Sequence, residues 1–244
     1  MTAHVALDAN LHKHLKLNSA KVEEMGADLH MIPVVVSEFM KLVVQFPILF
    51  TKHADTGAFT CICLTGFEEG ENLFWQNAEF DALYIPLNVS RHPFFVGSDD
   101  TQNNDYVICF DTDSQILNTE EGDAIFNADG SASPVLVNAQ EQLSELLIGE
   151  KQTSAFIEVL LALDLLVPLA LEITLASGES KTIKGLYSID EDKLNALNEH
   201  QLVQLQANGY LQAAYTQVAS LGQIYGLIQK KNQRDSAPNP WMQQ

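Results

Sequence analysis

The chain has 244 residues, with 32 acidic side chains against 13 basic ones and a formal net charge of −19. That balance opposes general binding to nucleic-acid backbones and to anionic lipid surfaces. The 46% hydrophobic and 18% charged content excludes wholesale disorder, because this much apolar surface offsets the entropy of ordering the chain.

The length suits one compact unit, in which we expect an N-terminal arm (1–30), a sheet-rich half (31–137), a helical half packed on it (138–231) and a flexible tail (232–244). Met1 to Asn10 has no basic segment followed by an apolar one, so no secretory signal is expected. The expected address is the cytoplasm; the alternative is the cell surface by a signal-independent route. Four of the seven histidines, His4, His12, His14 and His30, fall in the arm. His12 and His14 share one side of an extended chain, but the ammonium of Lys13 between them works against a bound cation.

Ile32 to Val36 is short and β-branched. Ser37 offers a helix N-cap, and Glu38, Phe39, Leu42, Val43 and Phe46 follow at helical spacing until Pro47. Ile48–Thr51, Ala58–Leu64 and Asn72–Trp75 read as an antiparallel meander with turns at 53–57 and 66–70. Cys61 and Cys63 share one face of a strand. With Cys109 they read as small buried hydrophobes in a reducing compartment, since alternation makes the first two poor disulfide partners.

Residues 84–96 are the segment around which the chain is organised. Arg91 and His92 stand there between Pro86 and Pro93 and among large apolar residues, and the prolines confine any strand to an edge or bend it. A guanidinium with partly dehydrated surroundings needs a carboxylate or carbonyls. The spacing therefore predicts a structural ion pair of Arg91 with Glu38 or Asp111. The rival role for the same segment is partner or ligand binding by Arg91, Tyr84, His92 and Phe94.

Phe94–Val96 and Tyr106–Phe110 read as two further strands around the acidic loop 97–105. Asp111-Thr112-Asp113-Ser114 begins like a calcium loop, but Ile116 and Gly122 occupy the places of its glycine and final glutamate, so a polar turn is preferred. Beyond Asn138 the period becomes helical: one helix from Asn138 to Ile148 stopped by Gly149, and another capped by Thr153 or Ser154. After Pro168, Leu169–Leu175 and Thr182–Tyr187 form a hairpin. Asp190 caps a short helix, Glu199–Asn208 forms the next, and Leu211–Ile228 the last. In that last helix Leu211, Tyr215, Val218, Leu221, Tyr225 and Ile228 make a stripe facing either the core or a partner, which offers a surface for self-association.

Several of these stretches in one order carry a family likeness. They are Glu38-Phe39, Phe46-Pro47-Ile48-Leu49-Phe50, Asn72-Leu73-Phe74, Tyr84-Ile85-Pro86, Arg91-His92-Pro93-Phe94-Phe95 and Cys109-Phe110-Asp111, then Leu165-Leu166-Val167-Pro168 and Gly185 to Glu191 with Leu194 and Leu197. Over nearly its whole length the chain resembles the SapC family of bacterial proteins. The resemblance implies an accessory protein: the family's name derives from a surface-layer locus, and members accompany halogenase-like and cupin-like enzymes and outer-membrane receptors. It supplies no catalytic set to carry over.

Phosphate-binding glycine loops and a Gly-x-Ser-x-Gly nucleophile motif are missing from the sequence. The sharpest enzyme reading is a two-histidine, one-carboxylate Fe(II) face of His53, Asp55 and His92. The favoured reading is an α+β protein whose N-terminal antiparallel sheet and packed helix precede a mostly helical C-terminal half with a small hairpin. It holds a protein or peptide partner without catalysis or cofactor, inserts into no membrane and binds no nucleic acid. A surface-layer structural role is the other alternative.

Overall fold

The computed structural model describes residues 4–99 and 105–236. In chain order its elements are β1 (His4–Ala6), β2 (Lys16–Leu17), β3 (Met31–Pro33), α1 (Phe39–Leu42), β4 (Ile48–Lys52), β5 (Phe59–Leu64), β6 (Trp75–Gln76) and β7 (Glu79–Phe80). Then come α2 (Leu87–Ser90), β8 (Phe94–Asp99), β9 (Asp105–Asp111), β10 (Leu117–Asn118), β11 (Asp123–Ala124) and α3 (Pro134–Ala162). The chain closes with β12 (Leu166–Thr174), β13 (Ser180–Ile189), α4 (Glu191–Asn195), α5 (Glu199–Ala207), α6 (Tyr210–Ser220) and α7 (Gln223–Ser236). The class is α+β, with sheet in the N-terminal half and mostly helix in the C-terminal half.

The chain divides into two compact units that interleave in sequence: Met1–Met25 with Leu87–Ile148, and Gly26–Pro86 with Gly149–Gln244. This division cuts across the arm, sheet-rich half and helical half expected from chain order.

In the first unit β9 pairs with both β1 and β8, and β2 with both β10 and β11, all antiparallel. The expected arm is therefore woven into sheets, since its short runs gain ladder hydrogen bonds from strands over a hundred residues away. Gly122 makes one of these pairings possible. Its φ is +107°, and a Cβ there would meet the Leu17 carbonyl oxygen at 2.3 Å. The core gathers Leu17, Phe94, Phe110, Ile116, Ile125 and Phe126 under Leu136, Ala139 and Leu143 of α3, at the spacing of one helical face.

The second unit carries a five-stranded antiparallel sheet in the order β12-β13-β4-β5-β3. Strands β4, β5 and the β12–β13 hairpin match the expected ones. Phe156 of α3 is fully buried, with Phe39, Phe50 and Tyr210 around it at ring distances of 6.1, 6.4 and 5.3 Å. Pro168 does not separate a helix from the hairpin. It lies inside β12, an edge strand, where a missing N–H costs no ladder bond on the open side.

Local signals were overridden at four further places. The first helix is capped not by Ser37 but by a 3₁₀ turn at Val36–Glu38, with the Val35 N–H donating to Glu38 Oε2 at 2.9 Å. Asn72–Phe74 forms a turn rather than a third meander strand: Asn72 Oδ1 accepts the Phe74 N–H, and only Trp75–Gln76 pairs, with β7.

Gly149 does not stop a helix, because α3 runs unbroken over 29 residues from Pro134, capped by Ser133. The glycine serves packing. A Cβ there would lie 2.7 Å from Val35 Cγ2.

The last expected helix is two. Residues 232–236 are the helical end of α7 rather than tail, while the rest of the expected tail, Trp241 included, lies outside the described residues.

Candidate functional site

The single turn of α2 brings the Arg91 N–H to the Leu87 carbonyl at 3.0 Å, and the Phe94 N–H returns to the Arg91 carbonyl at 2.9 Å. Helix and strand are thus joined by a tight bend, one of the two outcomes expected of the prolines. The bond between His92 and Pro93 is cis.

Across this bend Arg91 Nε donates to Asn88 Oδ1 at 3.0 Å and Nη1 to the Phe94 carbonyl at 2.8 Å. The guanidinium is half-buried and held in orientation by two bonds from its own loop.

His92 is also half-buried. Its Nδ1 lies 3.0 Å from the Val89 carbonyl, which assigns the proton to Nδ1 and leaves Nε2 as an acceptor. Burial, then the neighbouring Arg91 charge, lowers its pKa below 6.5, against the hydrogen bonds to the Val89 and Asn88 backbone. The ring is neutral at pH 7.

Phe94 is fully buried and opposite Phe110 in the first unit's core, so it offers no surface to a ligand. Asp111, in the same unit, accepts the Asp113 N–H at 2.9 Å and closes the polar turn expected there.

Glu38 and Tyr84 belong to the second unit. Glu38 is fully buried, and its Oε1 accepts the Tyr84 hydroxyl at 3.0 Å while Oε2 holds the Val35 N–H. The Lys41 ammonium lies 5.0 Å from the Tyr84 ring centroid. Burial, with the Glu38 charge adding to it, pushes the Cys63 thiol up, and burial does the same to Cys61. These thiols are packing groups, not nucleophiles.

His53 and Asp55 sit in one exposed turn, where His53 Nδ1 accepts the N–H of Asp55 and of Thr56, each at 3.3 Å. Among the described residues no three His, Cys, Asp or Glu side chains gather as metal ligands. The iron triad of His53, Asp55 and His92 is not assembled.

Two buried polar constellations in the second unit escaped the sequence reading. Lys231 of α7 pairs with Glu71 at 2.8 Å, their side chains 11% and 10% exposed, and with Asp235 at 3.2 Å. Lys230 reaches Asp81 at 2.8 Å and lies over the Phe74 ring, and Arg234 donates to the Trp75 carbonyl. Acidic side chains thus dock a basic helix.

In α6 the buried face is Ala213, Ala214, Thr216, Gln217 and Ser220. The expected stripe is left at the flank, with Tyr215 41% and Tyr225 74% exposed. Small residues let the helix approach the sheet closely, which the large apolar ones would prevent. The signal available in the sequence was the small-residue run itself.

Among the described residues no helix is long and apolar enough to cross a membrane. The model of the SapC family matches residues 7–227. No curated protein and no solved structure matches the chain.

Proposed function

This chain belongs to the SapC family, and we propose that it acts as an accessory protein that holds a protein or peptide partner through a carboxylate, without catalysis of its own. The observation that supports this reading is the fixed orientation of the Arg91 guanidinium by Asn88 and the Phe94 carbonyl, beside a neutral His92. A guanidinium ordered before binding loses little further freedom when it meets an acidic side chain or a chain terminus.

The test is capture of the partner by crosslinking in native lysate, then titration of the purified partner against wild type and Arg91→Gln. Binding lost in a variant that melts with wild type supports the proposal, and equal binding overturns it. A structural ion pair would instead show as a lower melting temperature in that variant.

A further inference from the structure

A cavity of about 390 Å³ opens in the second unit beside α1, α3 and the start of α6, a volume within the range of small-ligand sites. Among the described residues none that lines it is charged, in a chain whose formal net charge is −19. Phosphate, carboxylate and ammonium ligands would find no ion pair in its wall. The residues that line it include the apolar Phe39, Met40 and Ala213, the amide-bearing Gln152, Asn208 and Gln212, and the hydroxyl-bearing Ser37 and Tyr210.

Each of these polar groups can both donate and accept. Asn208 spends one amide hydrogen on the Gln204 carbonyl, at 3.1 Å, which keeps its Oδ1 pointing away from that bond. Gln212 Nε2 donates to Met40 Sδ at 3.5 Å, a weak acceptor. The Tyr210 ring is fixed against Phe156 with centroids 5.3 Å apart.

A ligand matched to this wall is neutral, carries several groups that donate and accept at once, and has an apolar face for the apolar lining and the ring. An extended peptide fits poorly, because its alternating N–H and C=O groups need a strand edge, and this wall is built of side chains from helices and turns. We propose that the cavity is a binding site for a neutral sugar, independent of the Arg91 reading.

Saturation-transfer NMR on the full chain tests it, with D-glucose, N-acetyl-D-glucosamine and maltose as probes and with glucose 6-phosphate and a blocked neutral tripeptide as controls. Transfer to at least one neutral sugar is expected. Gln152→Ala, at an exposed position, should weaken it roughly tenfold, the loss of about one hydrogen bond. Ala213→Phe should abolish it by filling the cavity, with the melting temperature recorded for both variants. Transfer to none of the neutral sugars overturns the proposal, as does preference for the phosphate ester or tripeptide. So does binding that Gln152→Ala leaves unchanged.

Discussion

The side-chain amide of Gln217 donates to the Ile48 carbonyl at 2.8 Å, while its Oε1 accepts the Ile189 N–H at 3.1 Å. Strands β4 and β13 pair only at Leu186 with Thr51 and Tyr187 with Phe50. Beyond that point a helix side chain takes the place of the ladder, and Ser220 Oγ accepts the Ile48 N–H at 2.9 Å. The separating strands leave no orphaned polar groups here, because α6 carries an amide at the one position that faces both.

Gln217→Leu keeps the volume and removes both bonds. With the Ile189 N–H left unsatisfied and the Ile48 carbonyl left only the 3.4 Å contact from Ser220 Oγ, we expect a loss of about 2 to 3 kcal/mol, read as a lower urea midpoint with unchanged slope. A midpoint equal to wild type would mean that the two strands do not depend on this amide.

Gly149→Ala reverses the usual helix rule. Alanine at a helical glycine ordinarily stabilises by about 1 kcal/mol, but here the new methyl would press on Val35. A net loss of about 1 to 3 kcal/mol is expected from overpacking. Adding Val35→Ala should recover part of it, and a Gly149→Ala protein more stable than wild type would refute the close-packing role.

Lys231→Met leaves the Glu71 carboxylate buried without its partner, and should cost roughly 3 kcal/mol. The double variant Lys231→Met with Glu71→Gln should recover most of that. Burial opposes the Lys231 charge, yet Glu71 and Asp235 outweigh it and hold its pKa above 10.5. The pair's stabilisation is therefore complete below pH 10.5 and fades as pH rises through the raised value. Urea unfolding at increasing alkaline pH should show a fall in wild type that is smaller in the double variant.

His92 behaves oppositely, because burial and Arg91 depress its folded pKa below 6.5. Well above pH 6.5 it is neutral in both states and adds no pH dependence. As pH falls below 6.5 the unfolded chain takes up the proton first, so stability declines until the folded ring titrates. An NMR titration should place the His92 midpoint below 6.5, and Arg91→Gln should move it upward. A midpoint at or above 6.5 would contradict the buried, cation-flanked environment.

The amino-acid order alone determined the class and much of the local structure. Strands β4, β5, β8, β9 and the β12–β13 hairpin follow from runs of β-branched and aromatic residues between turn signals. Asp190 and Gly209 mark helix ends where they stand, since capping acts within a few residues. Residues 84–96 stood out too, because a guanidinium among apolar neighbours must be satisfied. Its partners in Asn88 and the Phe94 carbonyl were not, for they depend on a one-turn helix that no periodicity announces.

Only the tertiary structure decided the rest. Gly149 reads as a helix stop until Val35 lies against it, and nothing in the helical period singles out Gln217 until two strands separate beneath it. Lys231 stands at the end of the expected helical half, and Glu71 meets it across 160 positions of sequence. In each case the deciding force is contact or desolvation between segments distant in the chain, and a local window contains no record of either.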